Sequence, residues 1–145
     1  MRWTNDAYEI DDEQSRLDLD RIVAWLAESY WAGTQPEAAV RCSWDAAGVT
    51  LGLYLGSEMI GCARAITDFT RFAYLSDVYV DPEHRGRGLG RWLVQTMLDH
   101  PDVLHVRWVL HTRSYTTRLY RECGFERVND SGDEVVMQRP RPPLP

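Results

Sequence analysis

The sequence predicts an α/β domain whose sheet mixes strand directions. Three observations carry that expectation. Apolar residues switch repeatedly between strand and helix spacing along the chain. Two β-prone runs, 49–55 and 58–67, meet at Gly56-Ser57, a turn that suits hairpin partners. A third run, 71–80, enters a glycine-rich loop that opens a helix, and another strand follows that helix.

Each element has its own local reason. Residues 7–11 read as a short first strand. Over 17–30, Leu19, Ile22, Val23, Leu26 and Ala27 recur at helical spacing. Pro36 has the φ of a first helical turn and opens a second helix that runs to about residue 46. The strands 49–55, 58–67 and 71–80 follow, then a helix over 88–99, a strand over 104–112, a helix over 115–123 and a last strand over 134–138. The order is β-α-α-β-β-β-α-β-α-β.

A chain of 145 residues suffices for one domain with a sizeable core, expected over 1–138. The segment 139–145, with four prolines, is expected to be a disordered tail. No apolar run approaches the roughly 18 residues of a membrane span. The first dozen residues are polar and acidic, unlike a signal peptide. Cys42, Cys62 and Cys123 are isolated and odd in number, which fits a reducing cytoplasm without disulfides. They form no CxxC pair, and His84, His100, His105 and His111 lack metal-ligand spacing, so no metal is expected. A net charge of −6 disfavours general nucleic-acid binding.

The most informative stretch runs from Val78 to Leu93. An apolar strand pattern stops at Asp81-Pro82, becomes Arg85-Gly86-Arg87-Gly88-Leu89-Gly90-Arg91, and continues as a helix. Free N–H groups and the positive end of the helix dipole then point the same way, which suits a pyrophosphate. The three glycines let the backbone curl round an anion, and the three arginines add permanent charge. A P-loop is excluded because the chain has no lysine. A dinucleotide fingerprint is excluded because position 91 is Arg91 rather than glycine. A plain strand-to-helix turn is the bland alternative.

Arg85-x-x-Gly88-x-Gly90 resembles the pyrophosphate-binding loop of the GCN5-related N-acetyltransferase (GNAT) family. Leu119-Tyr120-Arg121-Glu122-Cys123-Gly124-Phe125 resembles that family's Leu-Tyr-x-x-x-Gly-Phe segment, in the right order and about thirty residues later. The resemblance covers roughly residues 47–138, and Ser29-Tyr30-Trp31 together with residues 65–78 resembles small uncharacterised bacterial members, a likeness that brings no substrate with it. It implies a sheet of six to seven strands, about four flanking helices, and a parallel strand pair that splays apart to admit acetyl-CoA. It also implies that Val78, Tyr79 and Val80 face the pantetheine arm while residues 85–91 hold the pyrophosphate. Many members carry Asn seven residues before the tyrosine. Here that position is Arg113, a departure that removes the usual amide contact but leaves an arginine expected to reach the cosubstrate.

The chemistry follows from the reaction. A lysine-type amine, with pKa about 10.4, is neutral in only about one molecule in 10³ at pH 7, so a proton must leave before nitrogen attacks. A backbone N–H near Val78 is placed to hold the oxyanion. Tyr120 is the candidate acid that returns a proton to sulfur, with packing beneath the helix as its alternative role. Asp77, a carboxylate in an apolar run, is the candidate base; hydrogen bonding to nearby backbone is its alternative. Tyr30 and Trp31, at the junction of the first two helices, are the candidate contacts to an amine substrate, with Trp31 capping the core as the alternative. Asp68, Phe69 and Arg71 form a turn placed beside the cleft.

These readings support an acetyl-CoA-dependent N-acetyltransferase of a small amine or amino acid, cytoplasmic, with no nucleic-acid or membrane partner. A protein N-terminal or lysine acetyltransferase and a non-catalytic CoA sensor stay open beside it. The resemblance adds a homodimer paired through C-terminal strands.

Overall fold

The computed structural model describes residues 1–144 as one eight-stranded sheet with helices on both faces. The strands are β1 (Arg2–Asn5), β2 (Tyr8–Asp11), β3 (Val49–Leu55), β4 (Glu58–Thr67), β5 (Phe72–Val80), β6 (Arg107–Arg113), β7 (Glu126–Arg127) and β8 (Glu134–Arg139). The helices are α1 (Leu19–Ala27), α2 (Glu37–Asp45), α3 (Leu89–Leu98) and α4 (Thr117–Glu122). In space the strands run β1-β2-β3-β4-β5-β6-β8-β7, and only the β5–β6 pair is parallel.

Two strands, β1 and β7, go beyond the six in the element order expected from the sequence. β1 pairs antiparallel with β2 through a turn at Asp6, whose φ is +52°. Arg2-Trp3-Thr4-Asn5 buries no face, so it lacks the alternation that marks a strand. β7 is only two residues long and shows no period. The first helix starts later than expected, because the Asp18 carboxylate accepts the Arg21 N–H at 3.1 Å and caps it. It ends at Ala27, which leaves residues 28–36 as an irregular connection.

One core lies between the sheet and α3 with α4, built from Leu51, Leu53, Leu75, Leu93, Met97 and Phe125. The other lies between the sheet and α1 with α2, where Ile22, Leu26 and Trp44 meet Tyr54 and Met59. β3 is therefore covered on both faces, and almost every residue in it is buried. That accounts for its apolar run, Val49 to Leu55.

Two backbone features shape the functional region. The parallel pair joins only Phe72, Ala73 and Tyr74 to Arg107, Trp108 and Val109. Beyond Tyr74, β5 and β6 continue without pairing and open a cleft. On the other side of β5, Cys62 faces Tyr79 but Arg64 faces Ser76, so Asp77 and Val78 together oppose one residue. This β-bulge holds Asp77 at φ +54°, a conformation few non-glycine residues adopt. No helix is long and apolar enough to cross a membrane among the described residues.

Candidate active site

Two cavities occupy the opening between β5 and β6. The larger, about 1040 Å³, is lined by Val78, Tyr79 and Val80, by Arg85, Gly86, Gly88, Leu89, Gly90 and Arg91, and by Tyr120. The smaller, about 350 Å³, is lined by Tyr74, Ser76, Asp77, His111, Arg113 and Glu134 among others. Tyr30, Trp31, Val78, Thr112 and Tyr120 border both. The chain thus builds a long chamber and a small one that meet beside one tyrosine.

The glycine loop forms one end of the larger chamber. Gly86 and Gly88 have φ values of +79° and +77°, and a Cβ at either would find no atom within 4 Å. Gly88 caps the start of α3 without any side-chain hydrogen bond. No N–H group from Gly86 to Arg91 donates to a backbone carbonyl among the described residues, whereas the next, Trp92, bonds Gly88 O at 3.1 Å. A run of unspent donors therefore faces open space at a helix N-terminus, which suits an anion.

The arginines divide their work. Arg85 donates from Nε to the Val80 carbonyl at 2.8 Å, and its guanidinium lies 5.2 Å from the Tyr79 ring centre. It ties the loop to the end of β5. Arg87 turns away to the Tyr8 hydroxyl at 2.8 Å and does not line the chamber. Arg91 lines the chamber and reaches Glu122 at 3.5 Å. Tyr79 stacks on Trp25 with ring centres 4.9 Å apart, making a flat wall.

On β5, the Asp81 N–H bonds Ile60 O on β4 at 2.8 Å. Strand alternation then turns the backbone groups of Val80 and Val78 toward the unpaired, cleft side. Tyr120 packs edge-on against Phe125 at 6.0 Å, and burial pushes its hydroxyl pKa well above the ordinary 10. It remains a proton carrier throughout the neutral range.

The remaining expected residues gather round the smaller chamber. Asp77 is buried, with one oxygen 2.6 Å from Arg64 Nε and the other accepting the Trp31 indole N–H at 2.8 Å. Tyr30 and Trp31 meet edge to face at 5.0 Å. Arg113 lines only this smaller chamber, where it lies 4.9 Å from the Tyr30 ring centre and 3.5 Å from Asp133. Asp68, Phe69 and Arg71 line neither chamber. The Asp68 carboxylate instead accepts three N–H groups of its own turn, and these bonds, led by that from Arg71, lower its pKa to about 2.

Sequence reasoning missed Arg64, Thr112, His111 and Glu134. His111 Nδ1 stands 3.4 Å from a Glu134 oxygen at the small chamber's wall. Arg64 is half-buried within the otherwise apolar β4, and a charged residue in such a run was the one signal that announced a partner.

Comparisons with known proteins agree with this geometry. The acetyltransferase (GNAT) family model matches residues 8–125. An acetyltransferase-named protein of Gibberella zeae is 36% identical, over 67% of this chain and 66% of its own. The chloroplastic GCN5-related N-acetyltransferase 2 of Arabidopsis thaliana is 38% identical, over 77% of this chain and 44% of its own. The chain thus spans less than two thirds of either relative. A GNAT-family crystal structure from Xanthomonas campestris pv. campestris superposes with a TM-score of 0.77 at 34% identity, over 82% of this chain and 84% of that one. A GNAT acetyltransferase from Elizabethkingia anophelis, solved with acetyl-CoA bound, shares the fold at a TM-score of 0.68 and 14% identity, over 93% of this chain and 99% of that one. With most of its length matched, its parallel strands parted and a glycine loop at the cleft's end, this chain belongs to the GNAT acetyltransferase family.

Proposed function

We propose that the protein transfers an acetyl group from acetyl-CoA to a primary amine of a small molecule or amino acid, by direct attack in a ternary complex. The observation that carries this reading is the meeting of a long chamber and a small one at Tyr120, Val78 and Thr112. A two-substrate reaction needs two pockets that share a wall where the reacting atoms meet.

The long chamber fits the cosubstrate. The unspent N–H groups from Gly86 to Arg91 would hold its pyrophosphate, with Arg91 adding charge. The cleft-side groups of Val78 and Val80 would pair with its amide-bearing arm. When bound, acetyl-CoA supplies an activated thioester. The Val78 N–H offers a donor where negative charge develops on oxygen. Tyr120, kept protonated by burial, offers a proton to the departing sulfur. The amine's own proton leaves to water at the small chamber's wall, beside His111 and Glu134.

A cavity of about 350 Å³ walled by Tyr30 and Trp31 favours a small amine over a protein chain. The wall supplies aromatic faces and Glu134 supplies a carboxylate, which suit an ammonium group. Calorimetric titration with acetyl-CoA, beside an Arg85→Ala/Gly88→Trp variant, tests the cosubstrate half of the proposal. Micromolar binding lost in the variant supports it, and absence of binding by the intact protein refutes it. Thiol release from acetyl-CoA in the presence of benzylamine tests the acceptor half.

A further inference from the structure

We propose that the Arg64–Asp77 ion pair is a positioning device: it latches Trp31 as the wall between the two chambers and so limits the size of amine admitted. The word amine rests on the acetyl-transfer reading; the latch itself does not.

Asp77 is placed by an unusual backbone. The β5 bulge sets it opposite Ala63 together with Val78, in a left-handed conformation, and leaves its side chain only 5% exposed. Three anchors hold the bulge. Arg64 Nε grips one carboxylate oxygen at 2.6 Å, the Trp31 indole N–H takes the other at 2.8 Å, and the Cys62 thiol lies 3.6 Å from the Asp77 carbonyl. Arg64 also donates to the Ser43 carbonyl at 3.4 Å and lies 6.0 Å from the Trp44 ring centre. One largely buried ion pair, its side chains 12% and 5% exposed, therefore joins β4, β5, α2 and the α1–α2 connection.

Trp31 gains most from this. Its residue is 42% exposed, and the bond to Asp77 is its side chain's one hydrogen bond among the described residues. Its partner in the wall, Tyr30, has Arg113 of β6 over its ring at 4.9 Å, itself beside Asp133. The Tyr30–Trp31 wall thus bridges the parted strands, fixed to β5 through Asp77 and to β6 through Arg113. Both Asp77 oxygens are already accepting, so the carboxylate's work is to hold the indole.

The test uses Trp31→Phe, which keeps an aromatic ring and deletes the latch along with part of the indole's area, with Asp77→Asn, which keeps the whole indole, as a second variant. Hydrogen exchange is read over residues 29–35, and kinetics use benzylamine and the bulkier 1-naphthylmethylamine. Trp31→Phe should raise exchange in that segment about ten- to a hundredfold, the change for losing a hydrogen bond to a charged group. Its KM for benzylamine should rise while kcat stays within about threefold, and the naphthyl amine should gain relative to benzylamine. Unchanged exchange in Trp31→Phe overturns the latch. So does a kcat loss of about 10² or more in Asp77→Asn that Trp31→Phe does not share, since that marks a general base. Should Asp77→Asn fail to fold, Trp31→Phe decides alone. If the intact protein acetylates neither amine, the acetyl-transfer reading fails there, and exchange still decides the latch.

Discussion

Replacing Tyr120 by phenylalanine removes one oxygen and leaves the ring against Phe125. The hydroxyl makes no hydrogen bond among the described residues, and it sits in surroundings that raise its pKa through burial. Deleting it therefore strips no structural bond, and the unfolding midpoint should hold or rise slightly. Catalysis should respond very differently. General acid help is worth about 10²–10⁴-fold, or roughly 2.7–5.5 kcal/mol at 1.36 kcal/mol per factor of ten. Losing one neutral hydrogen bond to substrate would cost only about 0.5–1.5 kcal/mol, roughly two- to thirteenfold. The two roles are thus separable by size. Thiol release from acetyl-CoA with benzylamine gives kcat, and calorimetry gives acetyl-CoA affinity in the same variant. A loss of two or more decades in kcat, with affinity kept within about threefold, supports the proton-donor role. A loss below about tenfold, or a parallel loss of affinity and stability, would show that Tyr120 only packs.

Three further outcomes follow from the geometry. Because the Tyr120 pKa is raised, its acid form persists above pH 10, so kcat should show no fall from tyrosine ionisation below that pH; a break well below 10 would contradict it. Gly88→Val forces a β-branched residue into φ +77°, and should lower acetyl-CoA affinity at least tenfold while the core stays folded; calorimetry beside a thermal melt checks both. Asp68 titrates at about 2 in the folded protein against an ordinary 3.8, so its contribution is full above 3.8 and lost as pH falls toward 2. Asp68→Asn should therefore flatten the stability change between pH 4 and 2 measured by urea melts, and an unchanged slope would refute that.

The parts of the fold that sequence reasoning reached are those decided locally. Gly56-Ser57 bends a hairpin by its own turn chemistry, Pro36 starts α2, and Gly86 and Gly88 sit in left-handed conformations their lack of Cβ permits. Tyr120 and the loop were legible because both lie inside short motifs whose spacing survives in one strand of text. What escaped depended on pairing across the sheet. β1 is a polar edge strand that only its partner β2 defines. The bulge at Asp77 comes from a register shift against β4, and an aspartate at positive φ carries no mark that distinguishes it from one in an ordinary strand. Arg64 and Trp31 lie 13 and 46 residues from Asp77 in sequence, so the contacts that define its surroundings were out of local reach.

That difference explains why the sequence marks Asp77 as a candidate base without revealing that both its oxygens have partners. An isolated carboxylate in an apolar run demands a reason, and catalysis is one answer. Burial beside a guanidinium and an indole N–H is another, and it satisfies the same physical demand without any proton transfer. The bulge serves both ends at once. By adding a residue to β5 it sets Asp77 beside Arg64, and it lies in the stretch where β5 has parted from β6 and Val78 and Val80 face the cleft. The parting of the strands frees the backbone groups of the long chamber, and the wall fixed at the bulge closes the small one. If the proposed acetyl transfer holds, this single irregularity couples cosubstrate binding to the choice of acceptor, and variants of Arg64, Asp77 and Trp31 should shift acceptor KM together rather than independently.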